Sequence, residues 1–324
     1  MKKHVIGIDL GGTKISCALA NLEGKVESLF VIPTEAELGE KRVLDNIINV
    51  IEKVMVEGRS TLDEVKAIGI GSPGVLDLDE GIIITSPNLP FENFELIKNL
   101  KKKFEDVDIY LDNDANIATI GEYVLGAGKG KDNIVYVTVS TGVGGGAILN
   151  GQVYRGINSN ALEIGHMTLD PNGPICGCGN FGCLEAISSG TAIAKRAREA
   201  VLSKVETSLK NYETITSYEV FKEAANGDAV ANEIVDKAMT YLGIGIGNIM
   251  VAFNPSMVII GGGVTNVGDV LFNKVREIVK RRTFKTIHEE CEIVRAKLGG
   301  DAGVLGAVSL ALLESKKRDE ELEA

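Results

Sequence analysis

The sequence predicts an α/β protein whose two halves each begin with a β-hairpin. Strand-like runs alternate with helix-like runs along the chain, which is the pattern of an α/β fold. The first hairpin is predicted over Val5–Leu10 and Ile15–Ala20, and the second over Ile134–Val139 and Gly146–Leu149. In each hairpin the turn is built from glycine and threonine. The 324 residues also exceed the usual size of one hydrophobic core, so we expect two domains.

The remaining elements follow from hydrophobic periodicity. Val43, Ile47, Ile51, Val54 and Met55 fall on one face of a predicted helix. The other predicted elements are strands at Ala67–Gly71 and Ile109–Leu111, helices at Ala115–Leu125, 191–205 and 230–250, a strand at Met257–Ile260, a helix near 269–281, and a last strand and helix over 292–315. Residues 316–324 are rich in Lys, Arg and Glu and predict a frayed tail.

The domain boundary is predicted in a connecting helix. We assign residues 1–115 to a small α/β domain and residues 116–300 to a large one, with a hinge near Asp114 to Ala127. This follows because no low-complexity linker separates the two halves. We expect the C-terminal helix, over residues 301–316, to pack back onto the small domain.

The composition is that of an ordinary intracellular enzyme. A formal net charge of −11 disfavours general binding to nucleic acids or anionic membranes. The short basic runs Lys101–Lys103 and Lys280–Arg282 contain no aromatic residues, so we interpret them as solvated helix ends. No uninterrupted apolar run is long enough to span a bilayer, and we expect no signal peptide. These observations predict a cytoplasmic protein without a nucleic-acid or membrane partner.

The most distinctive run is rich in cysteine, histidine and glycine. Three of the five cysteines, Cys176, Cys178 and Cys183, follow His166, which is one of three histidines. A Cys₃His set suits a tetrahedral Zn²⁺ and fills all four positions, so it predicts a structural zinc without a catalytic water. The alternatives are a glycine-rich turn with incidental thiols, or disulfides, although three cysteines cannot pair completely.

The turn of the first hairpin has the residue types of a phosphate site. It reads Asp9-Leu-Gly11-Gly12-Thr13-Lys14. The glycines allow phosphate oxygens to approach backbone N–H groups, Thr13 adds a hydroxyl donor, and Asp9 can hold Mg²⁺. A tight hairpin without a ligand also needs glycine, so this motif alone leaves both interpretations open. It lacks the ending of a P-loop and the Gly-x-Gly-x-x-Gly pattern of dinucleotide sites.

Two further glycine loops favour a nucleotide. The second hairpin turns through Ser140–Gly146, in the equivalent place of the other half. Gly261–Gly263 follows the predicted strand Met257–Ile260 and offers bare backbone to a flat ring or a ribose. Three glycine loops after strands predict a nucleotide in a cleft between two domains.

Acidic and amide side chains cluster at a strand-to-helix junction. Asp112, Asn113, Asp114 and Asn116 fall within five residues. Helix capping alone explains such residues in many proteins, but two acids and two amides exceed what a cap requires. A carboxylate here could accept the proton of an attacking hydroxyl, as an Asp does in other phosphotransferases, and the neighbouring groups could bind sugar hydroxyls.

In this order, the motifs resemble those of the ROK family of sugar kinases. They are Asp9-x-Gly-Gly-Thr, Asn113-Asp114-Ala-Asn116, Glu163-x-Gly-His166 and Cys176-x-Cys178-Gly-x-x-Gly-Cys183-x-Glu185. The resemblance covers essentially the whole chain. It implies an actin/hexokinase-like (RNase H-like) fold, in which two α/β domains close a cleft over a sugar and Mg·ATP.

The resemblance also implies roles for individual residues. Asp114 would be the general base for the sugar 6-hydroxyl, and His166 would contact zinc and sugar through its two ring nitrogens. The structural zinc would be held by His166, Cys176, Cys178 and Cys183. The sugar would be bound by Asn113, Asp114, Glu163, His166 and Glu185, with Gly74 and Asn88 lining the same pocket. Mg·ATP would be bound by Asp9, Gly11, Gly12, Thr13, Lys14, Thr141, Gly142, Gly261, Gly262 and Gly263.

The resemblance leaves the substrate and the class of protein open. Glucose is the first choice, and N-acetylmannosamine, N-acetylglucosamine, allose and fructose are alternatives. A ROK repressor would need an additional N-terminal helix-turn-helix, for which the early first strand leaves no room. An actin-like chaperone or filament ATPase would use the glycine loops without a sugar pocket. We expect a homodimer or a homotetramer, with no sequence feature that decides between them.

Overall fold

The computed structural model describes residues 2–323, which divide into two compact units. Unit 1 comprises the chain up to Gly130, the segment Val153–Ala161 and the chain from Lys297 onward. Unit 2 comprises Lys131–Gln152 and Leu162–Ala296. Unit 1 is therefore assembled from three separate segments of the chain.

Strands and helices alternate through both units. The strands are β1 (His4–Leu10), β2 (Lys14–Asn21), β3 (Val26–Pro33), β4 (Val65–Ser72), β5 (Val75–Asp77), β6 (Ile82–Thr85), β7 (Glu92–Phe94), β8 (Asp108–Asn113), β9 (Ile134–Val139), β10 (Val143–Leu149), β11 (Gln152–Val153), β12 (Met257–Gly261) and β13 (Glu292–Arg295). The helices are α1 (Glu40–Glu57), α2 (Leu96–Lys101), α3 (Asp114–Val124), α4 (Leu184–Ser188), α5 (Gly190–Leu202), α6 (Ser217–Ala225), α7 (Ala229–Phe253), α8 (Asp269–Arg282), α9 (Lys285–His288) and α10 (Ala302–Glu323).

Unit 1 is built on a five-stranded sheet with the order β3-β2-β1-β4-β8. The first three strands pair antiparallel, and β4 and β8 continue beyond β1 in parallel. Successive side chains of a strand point to opposite faces, so Ile6 shares a core with α1 whereas Val5 shares one with α10. Gly7 and Gly69 have no room for a side chain, because the backbone of α10 lies directly against them. The central strands of the sheet are thereby covered on both faces, whereas β3 is partly exposed.

Unit 2 repeats this arrangement in a second five-stranded sheet, with the order β11-β10-β9-β12-β13. Its hairpin, β9 and β10, pairs antiparallel, and β12 and β13 continue beyond β9 in parallel. The repetition confirms the α/β class and the two hairpin-led halves that the sequence predicts.

The longest described helix, α7, belongs to the core of unit 2. It is the one described helix that is long and apolar enough to cross a membrane by length and composition. However, 61% of its most apolar window is buried within the protein. Leu242, Ile246 and Ile249 contribute to the hydrophobic core of unit 2, so α7 is a core helix.

The helix α3 lies in unit 1. The domain boundary is predicted at residue 115, near the start of this helix, whereas unit 1 continues to Gly130. Ile117 and Ile120 of α3 share a small core with Ala307 and Leu310 of α10. This packing attaches α3 to unit 1.

The C-terminal residues differ from the prediction. The frayed tail predicted over 316–324 is wrong for residues 316–323, because α10 continues to Glu323; residue 324 lies outside the described residues. Lys66 pairs with Asp319, and Asp108 with Arg318, so two ion pairs join the last turns of α10 to the sheet. The charged residues that suggested fraying form these ion pairs instead.

Candidate active site

The first hairpin turn of unit 1 exposes backbone. The Gly11 N–H donates to the Lys14 carbonyl at 3.0 Å and closes the turn. A side chain at Gly12 would lie within 2.7 Å of Asn88, so this glycine packs directly on that residue. Thr13 and Lys14 are exposed beside it. The structure thus brings Asn88, a predicted sugar ligand, against the predicted phosphate turn.

Asp9 stands at the end of β1, beside the start of α10. Its carboxylate occupies the space that a side chain at Gly303 would need. Burial raises the pKa of Asp9, the charge of Lys14 opposes this shift, and the charge of Asp114 adds to it. Gly303 carries no signal in the sequence, because this contact joins the first strand to the last described helix.

Asp114 begins α3, and its neighbours fix the first turn of that helix. The Asn113 side chain caps the helix by accepting from the Asn116 N–H at 2.7 Å. Asp114 Oδ1 accepts from the Ala115 N–H at 2.9 Å. The carboxylate lies in a recess of the protein but still reaches solvent. Its partial desolvation raises the pKa of Asp114 more than the Ala115 N–H lowers it. Asp114 is therefore an accessible carboxylate with increased proton affinity.

A buried ion pair lies beneath this turn. Asp112 is fully buried and accepts from Arg155 Nε at 2.8 Å. It also accepts from the Asn116 side chain at 2.8 Å and from the Asn113 N–H at 2.9 Å. Arg155 was not predicted as a functional residue, since a lone arginine in a loop carries no local signal of its partner.

Gly74 follows β4 in a left-handed conformation, with φ 110°. A side chain there would overlap the backbone of Thr85, at the end of β6, and of Ser86. The close approach of these two segments therefore requires glycine at this position. The structure assigns Gly74 a role in the backbone turn after β4.

A candidate metal site lies in unit 2. The ligand atoms of His166, Cys176, Cys178 and Cys183 all lie within 4.8 Å of one another. His166 Nδ1 is 3.7 Å from Cys176 Sγ, and Cys178 Sγ is 3.7 Å from Cys183 Sγ. A tetrahedron with Zn–S bonds of about 2.3 Å has edges of about 3.8 Å, so these spacings fit a tetrahedral metal.

The thiols of this cluster differ in proton affinity. The backbone N–H of Asn180 lowers the pKa of Cys178 to about 7, which favours the thiolate that a metal binds. Burial raises the pKa of Cys183 to about 12. Outside the cluster, Cys17 and Cys291 are buried thiols whose pKa values burial raises.

Glu185 connects the metal cluster to the second glycine turn. Its Oε1 lies 3.9 Å from Cys176 Sγ, and its Oε2 accepts from the Val143 N–H at 3.0 Å. The Glu185 carboxylate packs directly on Gly142, so a side chain at that position would displace it. The structure thus brings a predicted sugar ligand together with a predicted nucleotide ligand.

The loop before His166 contains a strained residue. Leu162 has φ 64°, a left-handed conformation that bulky side chains rarely adopt. Glu163 follows it, and the Glu163 carbonyl accepts from the His166 N–H at 3.0 Å. The strain therefore lies directly before two predicted sugar ligands.

A cavity of about 440 Å³ in unit 2 is bordered by two of the predicted glycine loops. Thr141 and Gly263 line it, together with Arg198 and the segment 214–217, which the sequence analysis does not identify. The other glycines of the third loop face the protein: Gly261 packs on the Tyr136 side chain, and Gly262 on the Val139 backbone. Gly263 is therefore the residue of this loop that offers bare backbone to a ligand.

Comparison with known proteins gives the family. The family model of the ROK family matches residues 5–314. A glucokinase of Thermotoga maritima is 38% identical over 315 residues, which cover 95% of this chain and 97% of that protein. The crystal structure of a ROK hexokinase from Thermus thermophilus superposes with a TM-score of 0.86 at 37% identity, covering 97% of this chain and 99% of that one.

A ROK family glucokinase from Streptomyces griseus, in complex with glucose and AMPPNP, superposes with a TM-score of 0.75 at 29% identity, covering 95% of this chain and 99% of that one. A xylose repressor of Caldicellulosiruptor bescii is 32% identical over 313 residues, which cover 95% of this chain and 78% of the repressor. These likenesses confirm the actin/hexokinase-like fold. With a family model matched along nearly its whole length, the chain belongs to the ROK family.

Proposed function

We propose that the chain is an ATP-dependent glucokinase, which transfers the γ-phosphoryl group of Mg·ATP to the 6-hydroxyl of glucose. The observation that carries this proposal is the Asp114 carboxylate, which is accessible at the first turn of α3 and has a raised pKa. Membership of the ROK family and the glucokinases among the relatives support it.

Asp114 would act as the general base. It accepts the 6-hydroxyl proton as the sugar oxygen bonds to phosphorus, and a raised pKa makes the ionised carboxylate a stronger acceptor. The bond between the γ-phosphorus and the bridging oxygen breaks, so the products are glucose 6-phosphate, ADP and a proton that Asp114 returns to solvent. The remaining requirement is positioning and charge stabilisation.

Mg·ATP fits the residues of the glycine loops. Asp9 offers the carboxylate oxygen that Mg²⁺ prefers, beside the bare backbone of Gly11 and Gly12. When bound, Mg²⁺ neutralises charge on the transferring phosphoryl group. We assign Asp9, the first hairpin turn and Thr141-Gly142 to the phosphates. We assign the cavity beside Gly263 to the adenosine, with Gly261 and Gly262 shaping the loop behind it.

Three of the proposed sugar ligands, Glu163, His166 and Glu185, lie in or beside the segment that carries the metal ligands. We assign Asn113, Glu163, His166 and Glu185 to sugar hydroxyls, with Gly74 and Asn88 shaping the pocket. His166 Nδ1 faces the thiol of Cys176, so Nε2 would remain for a sugar hydroxyl. The metal would be a structural Zn²⁺, because the Cys₃His set supplies all four ligands.

We further propose that this enzyme works in the cytoplasm as a homodimer or a homotetramer, with a hexose and ATP as its partners. Sedimentation velocity of the purified chain would give the number of subunits.

The test is a coupled assay of the purified chain with Mg·ATP and a panel of sugars. Glucose is expected to give the highest kcat/KM, with glucose 6-phosphate identified by mass, against N-acetylmannosamine, N-acetylglucosamine, allose and fructose. A preference for another sugar would replace glucose within the same reaction. ATP hydrolysis that no sugar stimulates, or the absence of any sugar phosphate, would contradict the kinase.

A further inference from the structure

Arg155 reaches the acid and amide cluster from a distant part of the sequence. It is the only charged residue of Val153–Ala161, the segment of unit 1 that lies between two stretches of unit 2 in the chain. Its Nε donates to Asp112 Oδ2 at 2.8 Å, and its Nη2 donates to Glu314 Oε1 at 2.9 Å. Carboxylates from β8 and α10 therefore fix the plane of one guanidinium.

Arg155 supplies the counter-charge of Asp112. Its side chain has 0% exposure, and Arg155 is its one ion-pair partner among the described residues. A buried carboxylate without a counter-charge is strongly disfavoured. Burial also opposes the charge of Arg155, but Asp112 and Glu314 outweigh this and raise the pKa of Arg155. The pair therefore gives the buried Asp112 a counter-charge, and both of its oxygens accept hydrogen bonds.

The groups that donate to Asp112 lie on either side of Asp114. The Asn113 N–H and the Asn116 side chain both donate to Asp112 Oδ1. Asn113 is also the cap of α3, and Asn116 lies in its first turn. The direction in which Asp114 projects is thus set by residues that Asp112 holds in place.

We propose that Arg155 is a positioning residue for Asp114 and acts through Asp112, an inference that rests on the proposed phosphoryl transfer. Without Arg155, the buried Asp112 would lose its counter-charge and the donor to its Oδ2, so its side chain would have to rearrange. The first turn of α3 would then lose part of its support. A displacement of about 1 Å at a reacting group costs about 100-fold in rate.

The chain offers a matched control. Arg318 of α10 pairs with Asp108, the first residue of β8, whereas Arg155 pairs with Asp112 near the end of the same strand. The variant R318M therefore removes an arginine–carboxylate pair from the same strand but leaves the support of Asp114 intact.

The first experiment compares the kinetics of full-length R155M, R155K and R318M with glucose and Mg·ATP, after circular dichroism has verified their folding. The kcat of R155M is expected to fall about 10- to 100-fold, while the KM for Mg·ATP changes less than about threefold. R155K is expected to be intermediate, because an ammonium restores the charge but not the planar fork. R318M is expected to keep the parent kcat.

The second experiment is chemical rescue. Arg155 borders a cavity of about 480 Å³ in unit 1, so a free guanidinium ion can reach the space left in R155A. Guanidinium chloride at low, non-denaturing concentration is expected to raise the kcat of R155A about tenfold, whereas sodium chloride of equal ionic strength is not. A residue that served only folding would give no such rescue in a folded variant.

The outcomes separate this inference from the proposed function. If the parent phosphorylates glucose and R155M keeps a kcat within twofold of it, the inference is overturned and the proposed function stands. A parent that phosphorylates no sugar overturns the proposed function, and the inference with it. If R155M and R155A do not fold, R155K decides: a loss of about tenfold in kcat supports the inference, and the parent kcat contradicts it.

Discussion

At the level of single residues, burial raises the pKa of Asp114 and at the same time makes its charged form destabilise the folded protein. Its pKa is raised above the ordinary 3.8, chiefly by burial, so the folded protein holds this proton more tightly than the unfolded chain does. Such a group adds to stability below its unfolded pKa, and this contribution is lost as the pH rises through its folded pKa. At neutral pH the desolvated charge of Asp114 therefore lowers the free energy of unfolding.

Asp114→Asn is expected to change activity and stability in opposite directions. The kcat should fall by about 10² to 10⁴, since the general base is lost. The melting temperature should rise at neutral pH, and the difference from the parent should shrink in acid, where Asp114 is protonated in both states. Coupled assays and calorimetry across this pH range measure both effects.

Asp108→Asn is the control for this prediction. Asp108 lies on the same strand, in an ion pair with Arg318, and we assign it no part in the reaction. Its replacement should leave kcat unchanged. Activity of Asp114→Asn within threefold of the parent would remove Asp114 from the role of base.

Sequence reasoning reaches some of these residues and not others. Asp114 is identified because acids and amides are dense around it, and the cysteines because they are few and clustered. Arg155 and Gly303 carry no such signal. Each acts through a contact with a residue far away in sequence, Arg155 with Asp112 and Gly303 with Asp9. Periodicity and local motifs do not encode such contacts.

Among the elements, the segment 163–185, which contains the four candidate metal ligands, leads to a prediction about zinc. The purified chain should contain one Zn²⁺ per chain, and Cys178→Ala should lose it, because the variant leaves three ligands. The KM for glucose should rise, since Glu163 and His166 precede the cysteines in this segment and Glu185 follows Cys183 at the start of α4. Elemental analysis and steady-state kinetics measure the two effects.

Cys291→Ala is the matched control, because Cys291 is a buried thiol of the same unit outside the cluster. It should keep both the metal and the KM for glucose. A parent enzyme that is fully active without metal, or a Cys178→Ala variant that retains zinc, would defeat the assignment.

The packing of α10 on the sheet gives a second prediction for an element. A methyl group at Gly69 would overlap the Ala307 carbonyl of α10, where backbone meets backbone. Gly69→Ala should therefore lower the free energy of unfolding by about 1–3 kcal/mol or more, because the helix must move away. Chemical denaturation measures this loss.

Gly300→Ala is the companion variant for Gly69→Ala. A methyl group at Gly300 meets nothing within 4 Å, and this residue also lies near α10. The free energy of unfolding of Gly300→Ala should remain close to that of the parent. Equal decreases in the free energy of unfolding of the two variants would argue against close packing as the cause.

Most long or strongly patterned elements were predictable, whereas several short elements and the eight-residue strand β3 were missed. The two hairpins, α1 and α7 follow from runs of alternating or helical periodicity. The second hairpin was predicted with a turn over Ser140–Gly146, but β10 already begins at Val143, because its run of glycines resembles a turn. The small sheet of β5, β6 and β7 was missed, because strands of three or four residues show too little pattern. The last turns of α10 were misjudged because partners elsewhere in unit 1, and not the local composition, hold them.

For the whole molecule, each unit has its own hydrophobic core. A substitution that destabilises one unit should therefore leave the other unit largely unaffected. Gly69→Ala is expected to speed amide exchange in the peptides of unit 1, and Cys178→Ala in those of unit 2. Hydrogen exchange followed by mass spectrometry under native conditions resolves the two. Faster exchange spread evenly over both units in either variant would contradict two independently stabilised cores.

The place of α10 in the chain has a consequence for biosynthesis. Val304, Val308 and Ala311 of this final helix complete the core that Val5 and Ala67 begin. A ribosome delivers the strands of unit 1 early and their covering helix last, after all of unit 2 has emerged. Throughout most of translation, the nascent sheet therefore presents an uncovered apolar face, and a cellular chaperone would have its longest opportunity to bind there.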